Sequence, residues 1–291
     1  MTMRVAIAGG GGFAHILARE MAQNANAVIV LSTKQRCEFE DLGVQVAVVD
    51  YTNTQELQYI LTGVDLLIST IREETTQINL INAARHARVH TFVPAEFEGA
   101  LAQRPTSNDP FDHGSSRVRG LGRFNIGRSA NVWNSGDYLL NIETAQAEIV
   151  LRNAQGRPVT VSMTSVRDVA RFVAAAVEIG LERWPTEFRM RGDQLSLEEI
   201  VHDCSTARRV PFSQHAYEYA GIQAVLDFAL QDGDIAKWFC FQQLRASVEG
   251  RYDFAHSNLN DILNQTAGLE VRPLRFRDWI WRACEEAQMQ S

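Results

Sequence analysis

Residues 4–14 read RVAIAGGGGFA, and this stretch decides the fold class. Its first five residues are typical of a buried strand, four glycines follow at once, and an apolar periodicity that continues to Met21 indicates a helix. Glycines let the backbone come within hydrogen-bonding distance of a phosphate, and the free N–H groups at a helix start favour negative charge. The order of strand, glycine turn and helix therefore predicts a site for a nucleotide pyrophosphate.

Two spacings fit the glycine turn. As G-x-G-x-x-A, the matching residues are Gly9, Gly11 and Ala14, and as G-x-x-G they are Gly9 and Gly12. Glycine-rich hexads also occur in ordinary tight turns, but the position directly after a strand favours the nucleotide interpretation. The predicted cofactor contacts of this turn are Gly9, Gly11, Gly12, Phe13 and Ala14.

Strands and helices alternate over the first third of the chain. Short apolar runs predict strands at 27–31, 44–49, 64–68 and 90–93. Apolar periodicity predicts helices at 54–61, with Thr54 as the N-cap, and at 75–88. This alternation predicts an α/β fold of the Rossmann type, a doubly wound parallel sheet with right-handed crossovers. In such a sheet the ligand lies across the carboxyl ends of the strands.

The residues that follow each strand are therefore candidate cofactor contacts. After the second strand stand Thr33, Lys34 and Arg36, where an NAD site would place an acid for the ribose 2′-hydroxyl. A hydroxyl with two cations suits a 2′-phosphate, so this pattern favours NADP(H) over an ordinary solvated basic turn. The next three strand ends add Asp50, Tyr51, Ser69, Thr70, Ile71, Glu96 and Phe97. A polar turn explains Asp50 and Tyr51 equally well.

Composition and charge bound the classes of function. The 291 residues carry a net charge of -7, which argues against a general binder of nucleic acid or of anionic membranes. The four cysteines lie far apart, as in a reducing compartment, and no apolar run is long enough to span a membrane. Asp109, Asp112 and His113 match no metal motif. We expect a cytoplasmic protein without a metal site that acts on a small molecule.

Several segments resemble those of a known family. They are VAIAGGGGF at 5–13, ISTI at 68–71, FVPAEFEG at 92–99, TSVRDVARF at 164–172 and RFRDW at 275–279. Together they resemble the NmrA-like and isoflavone-reductase-like families, atypical short-chain dehydrogenases, and the last segment is similar to fungal members. The resemblance implies a Rossmann domain that binds NADP(H) and a smaller C-terminal α+β substrate domain. The expected bounds are 1–130 with 159–183 for the first domain and 131–158 with 184–291 for the second.

The chain departs from the family pattern at one position of the glycine turn and at the residues that carry catalysis. His15 stands where relatives usually have the third glycine of the turn, unless the turn is one residue shorter than theirs, and we interpret it as a helix-start residue. None of the six tyrosines has a lysine four residues later, so the Tyr-x-x-x-Lys pair of short-chain dehydrogenases is missing. No lysine lies between Lys34 and Lys237, so the catalytic lysine of the isoflavone-reductase branch is missing too. The proton donor stays unassigned.

Residues 97–136 also differ from the family. They are rich in Gly, Pro, Ser, Asn and Arg, and the segment is roughly thirty residues too short for the expected helix and sixth strand, which is uncommon inside a compact domain. A natural deletion, a gene-model or splice artefact and a remodelled lid are three interpretations, of which we favour a deletion of either origin.

The rest of the chain predicts further elements. They are a strand at 159–163, a helix from a Ser165 cap to Ile179, a strand at 187–191, a helix capped by Ser196 that ends near Pro211, an aromatic-rich helix at 223–244 and a final helix from about Arg275. We expect the aromatic side chains of the 223–244 helix to form core or a pocket wall.

Three functions are open at this point. The first is an NADPH-dependent reductase of a small, aromatic or polyketide-like metabolite, and the second is a non-catalytic NADP(H)-sensing regulator with a protein partner. The third is a non-redox isomerase or dehydratase on the same scaffold. Loss of a core strand would expose apolar surface and so favour a homodimer.

Overall fold

A five-stranded parallel sheet forms the centre of the first half of the chain. The computed structural model describes residues 3–24, 26–97, 103, 109–111, 125–126 and 140–290. The strands are β1 (Arg4–Ala8), β2 (Ala27–Ser32), β3 (Gln45–Val48), β4 (Leu66–Ser69) and β5 (Thr91–Val93). Their order is β3-β2-β1-β4-β5, with every neighbouring pair parallel. This order confirms the predicted Rossmann-type fold, because the chain winds outward from β1 in both directions.

Helices cover both faces of the sheet. They are α1 (Gly12–Gln23) and α4 (Val166–Ile179) on one face, and α2 (Thr54–Ile60) and α3 (Glu74–His86) on the other. Along β1, Val5 and Ile7 pack into the first apolar cluster, whereas Ala6 and Ala8 pack into the opposite one. Side chains of a strand alternate between faces, so a strand that is apolar throughout must be buried on both sides.

The helix starts follow local capping rules, with one correction. Ser165 caps α4 as predicted, since its side chain accepts a hydrogen bond from the backbone N–H of Asp168. The prediction that Thr54 caps α2 is wrong. The cap is Asn53, whose side chain accepts from the N–H of Glu56 at 3.2 Å, and Thr54 is the first helical residue.

The second half of the chain forms its own apolar cluster. Its elements are β7 (Leu140–Asn141), β8 (Gln146–Ile149), β9 (Thr160–Met163), β11 (Asp193–Ser196), α5 (Leu197–Arg208), β12 (Ser213–Ala216), α6 (Ile222–Gln231), α7 (Ile235–Val248) and α9 (Phe276–Gln290). One small sheet has the order β12-β8-β7, and β9 pairs with β11 in antiparallel fashion. The cluster joins side chains from both sheets to those of the surrounding helices.

Two predicted elements differ in extent, and one helix was not predicted. The helix predicted at 223–244 is two helices, α6 and α7, because Gly233 takes φ +73° and Asp234 caps the second one. Phe228 and Phe239 are 62% and 40% exposed, so the core assignment is wrong for these two rings. The strand predicted at 187–191 is only β10 (Glu187–Phe188), and α8 (Asn258–Gln265) was not predicted.

The chain passes between the two clusters more than once. Val161 of β9 packs into the second cluster, whereas Phe172 of α4, Trp184 and Leu259 of α8 pack into the first. The domain bounds stay a prediction. Most of the segment at 97–136 lies outside the described residues; within it, β6 (Asn125–Ile126) pairs in parallel with β10. No helix in the described part of the chain is long and apolar enough to cross a membrane.

Candidate functional site

The glycine turn after β1 is tightly enclosed on one side. Gly9 takes φ +112°, and a Cβ added there would lie 2.2 Å from Thr70 Oγ1. A Cβ on Gly10 would lie 2.8 Å from Ser32 Oγ. Only glycine avoids both the clash and the strained backbone at position 9, whereas a side chain at position 10 would force the Ser32 hydroxyl to move.

The start of α1 is open on the other side. Gly11 is the N-cap and makes no side-chain cap, and a Cβ on Gly11 or Gly12 would contact nothing within 4 Å. Among the described residues, no acceptor is bonded to the N–H groups of Gly12, Phe13 and Ala14. Such free donors with the positive end of the helix dipole form a site suited to an anion.

Tyr51 and Thr70 hold the turn from the neighbouring strands. The Tyr51 hydroxyl donates to Leu31 O at 2.7 Å and accepts from the N–H of Gly9 at 3.1 Å. Burial raises the pKa of Tyr51, so the hydroxyl remains protonated. Thr70 Oγ1 donates to Ala8 O at 2.9 Å. Both side chains thus brace the turn.

Asp50 and Ser69 are engaged in local turns. The Asp50 carboxylate accepts from the hydroxyl and the N–H of Thr52, and the hydrogen bond from the Thr52 side chain is the main reason why the pKa of Asp50 is lowered. For Asp50, this arrangement fits the polar turn that the sequence offered as an alternative to a cofactor contact. Ser69 Oγ is buried and bonds within 3.3 Å to the backbone of Ile71.

A basic edge flanks the glycine turn. Arg36 Nε lies 3.1 Å from the position of a Cβ on Gly10, and this buried atom has no hydrogen-bond partner in the described part of the chain. The same guanidinium lies 3.6 Å from Glu38 Oε1. Lys34 and Thr33 are exposed beside it. The structure therefore brings Arg36 to the turn and leaves the other two predicted residues at the solvent edge.

The end of β5 meets the turn from the opposite side. The Phe97 ring packs edge-on against Phe13 at 4.9 Å between centroids. Glu96 is buried, and the N–H of Ala95 donates to Gln77 Oε1 of α3 at 2.8 Å. Predicted residues that follow β1 and β5 are therefore in direct contact, as a site across the carboxyl edge of a parallel sheet requires.

His15 points away from the turn. Its Nε2 lies 3.2 Å from Glu38 O, and its ring packs edge-on against Phe39 of the 3-10 segment Cys37–Leu42. This placement agrees with its interpretation as a helix residue.

Sequence reasoning assigned no site role to three residues of the site. Gly10 and Ser32 form its close contact, and Gln77 positions the end of β5. For Gly10 and Ser32, the sequence signal was a second glycine in the turn and a small polar residue at the end of β2. For Gln77 there was no signal, because it lies on the separate helix α3.

Of the group Asp109, Asp112 and His113, the structure describes only Asp109. Asp109 forms a buried bidentate pair with Arg251, at 2.8 and 2.9 Å, while Asp112 and His113 lie outside the described residues. Within the described part of the chain, no cluster of three or more His, Cys, Asp or Glu could hold a metal ion.

The chain is similar to curated fungal proteins. Oxidoreductase swnR of Metarhizium robertsii is 24% identical over 216 residues, 66% of this chain and 70% of that protein. Oxidoreductase BOA1 of Botryotinia fuckeliana is 26% identical over 228 residues, 69% of this chain and 74% of that protein.

Solved structures share the fold at low identity. AtPrR2, in a structure with NADP+ and (+)-pinoresinol, superposes with a TM-score of 0.74 at 15% identity and covers 97% of this chain and 99% of its own. The NADPH-dependent quinone oxidoreductase QOR2 of Escherichia coli reaches 0.70 at 14% identity, over 96% and 99%. The model of the NmrA-like family matches residues 1–111. The predicted resemblance is thus confirmed by this match over the N-terminal part of the chain.

Proposed function

We propose that the chain binds NADP(H) at the glycine turn and reduces a small, aromatic or polyketide-like metabolite in the cytoplasm. One observation carries the proposal: α1 starts at open, uncapped glycines beside an arginine whose buried Nε has no described partner. A diphosphate and a 2′-phosphate are the groups that these donors suit.

Each part of the site has a role in this proposal. The N–H groups of Gly12, Phe13 and Ala14 hold the diphosphate, and Arg36 with Lys34 and Thr33 holds the 2′-phosphate. Ser69, Thr70 and Ile71 flank the path of the cofactor, while Glu96 and Phe97 flank its reactive end. NADPH would supply the hydride. Tyr51 and Thr70 keep the turn in place through their bonds to the ends of β1 and β2.

The names of the related proteins support a redox function. Both fungal relatives are named oxidoreductases, and QOR2 is an NADPH-dependent quinone oxidoreductase. The missing Tyr-x-x-x-Lys pair favours the second candidate, a regulator that binds NADP(H) without turning it over. A partner protein or a second copy of the chain would then bind differently to the NADP(H)-bound and the free form.

The cofactor is tested by titration with NADPH and NADH. We expect the wild type to prefer NADPH, and Lys34→Ala with Arg36→Ala to lower that preference by about 10- to 100-fold, since one charge-assisted bond contributes about 1.5–3 kcal/mol and the exposed Lys34 adds little to the bond from Arg36. Arg272→Ala is the matched control, because this exposed arginine also pairs with a glutamate two residues away. Equal affinity of the wild type for the two cofactors would contradict the proposal.

Turnover separates the two functions. We expect NADPH oxidation, followed by absorbance, with at least one member of a panel of ketones, enones and quinones. Tight binding without turnover of any member would contradict the reductase and favour the regulator.

A further inference from the structure

A cavity of about 540 Å³ lies in the second half of the chain, between the sheet β12-β8-β7 and the first turns of α7. Its lining includes Glu148 of β8, His215 of β12, Tyr217, and Asp234 and Lys237 at the start of α7. This volume falls within the range of roughly 300–1,000 Å³ that is typical of small-molecule sites. None of these residues belongs to the glycine turn or to the strand ends around it.

The sheet side of the cavity offers a carboxylate held by a tyrosine. The Tyr217 hydroxyl donates to Glu148 Oε1 at 2.9 Å. Burial and the neighbouring Glu148 raise the pKa of Tyr217 to about 12, so the hydroxyl stays a donor at neutral pH. Glu148 Oε2 accepts no hydrogen bond from the described residues. The centroid of the His215 ring lies 4.3 Å from that of Tyr217, with the ring planes tilted by 54°, so this wall has two aromatic faces.

The helix side of the cavity offers a cation. Lys237 is half-buried, and its ammonium lies 5.9 Å from the centre of the Phe241 ring. Among the described residues, no carboxylate oxygen comes within 4.0 Å of this ammonium. Asp234 instead caps the helix, since its Oδ1 accepts from the backbone N–H of Lys237 at 2.9 Å. Glu148 and Lys237 therefore line one cavity with opposite charges that do not pair with each other.

We propose that this cavity binds a small zwitterion, a molecule of the amino-acid class with a flat or aromatic body. Its ammonium pairs with Glu148 Oε2 beside the Tyr217 ring, and its carboxylate pairs with Lys237. Removing either charge from water without a partner is costly, and one ligand that carries both opposite charges compensates both at once. The adjacent aromatic ring adds attraction for the ammonium. The inclined rings of His215 and Tyr217 contact the ligand body.

The site is tested with three probes that share one ring and differ in charge. They are phenylalanine, phenethylamine, which lacks the carboxylate, and 3-phenylpropanoate, which lacks the ammonium. Calorimetric titration of the full chain should show phenylalanine binding at least tenfold more tightly than either partial analogue. Equal affinity of the three probes, or no binding of phenylalanine at millimolar concentration, would overturn the proposal.

Two variants assign the charges. Lys237→Met should lower the affinity for phenylalanine at least tenfold and leave that for phenethylamine unchanged, and Glu148→Gln should lower the affinity for phenylalanine and leave that for 3-phenylpropanoate unchanged. A loss for all three probes, in a variant whose urea unfolding midpoint matches the wild type, would overturn the assignment.

The only other lysine provides the control. Lys34→Met removes the same charge at the glycine-turn edge, so it should leave phenylalanine binding unchanged and weaken NADPH binding, whereas Lys237→Met should do the reverse. The zwitterion site and the cofactor site can therefore fail independently. Equal loss of phenylalanine binding in both lysine variants would overturn the zwitterion site.

Discussion

Two helices that follow strands of the same sheet begin in opposite ways. The start of α3, after β4, carries its own carboxylate: Glu73 accepts from the backbone N–H groups of Thr75 and Thr76 at 2.9 and 2.6 Å. The start of α1, after β1, carries only glycines and no side-chain cap. In both helices the first N–H groups have no acceptor within the helix and lie at the positive end of its dipole. The protein satisfies one of them internally and leaves the other for an anion from outside.

A missing cap is not by itself a binding site. Helices α6 and α8 also begin without a side-chain cap, at Gly221 and Ser257. What distinguishes α1 is its position at the centre of the parallel sheet, the close approach of Thr70 to Gly9 and the guanidinium of Arg36 beside Gly10. Helices α1 and α3 thus start at the same edge of the sheet and differ in the charge at their starts.

The largest effect is expected from giving α1 the carboxylate that α3 has. Gly11 has extended backbone angles and open space for a side chain, so Gly11→Asp should fold and cap the helix. We expect the affinity for NADPH to fall about 100-fold, because the new carboxylate takes the N–H donors and repels the diphosphate. The free energy of unfolding should rise by a few tenths of a kcal/mol. Fluorescence titration and urea unfolding measure the two quantities.

Gly11→Asn separates capping from charge. It offers the same acceptor without the negative charge, so its loss of NADPH affinity should lie between those of the wild type and Gly11→Asp. Unchanged NADPH binding by Gly11→Asp would show that the start of α1 does not hold the diphosphate.

A second pair of variants contrasts the closed and open sides of the turn. Gly9→Ala places a methyl group against Thr70 Oγ1 at a positive φ, so we expect a loss of about 2 kcal/mol in the free energy of unfolding. Gly12→Ala adds the same atom in open space within a helix and should lose no stability. Urea unfolding of both proteins checks the difference, and equal stability of the two variants would contradict the role of Gly9.

Features that depend on neighbouring residues could be predicted from the sequence. The run at 4–14 specifies strand, turn and helix by period and glycine alone, and Ser165 and Ser196 cap their helices through residues three positions later. The strand ends converge on Gly9 because a parallel sheet places all its carboxyl ends together. For these features, the local sequence pattern is sufficient to predict the structure.

The cavity of the second half shows where such prediction ends. Along the chain, 69 residues separate Glu148 from Tyr217, and 20 separate Tyr217 from Lys237. The pairing of β8 with β12 and the packing of α7 bring the three together. Polar single residues on short strands carry no periodic signal. The break between α6 and α7 lies at Asp232-Gly233-Asp234, a local turn signal that the apolar residues on both sides outweighed in the prediction of one helix.

The smallest effect concerns the carboxylate of α3 and its dependence on pH. Hydrogen bonds from the side chain and the N–H of Thr76 and from the N–H of Thr75 lower the pKa of Glu73 to about 2 from its ordinary 4.5. A lowered pKa in the folded state stabilises the fold above pH 4.5 and loses this effect as the pH falls toward 2. Glu73→Gln should therefore be slightly less stable than the wild type at neutral pH, and the gap should narrow between pH 4.5 and pH 3. Urea unfolding across this range tests it, and a gap that stays constant would contradict the role of the charge. Gly11→Asp should acquire the same pH dependence at α1, since it transfers this charge to the helix that lacks it.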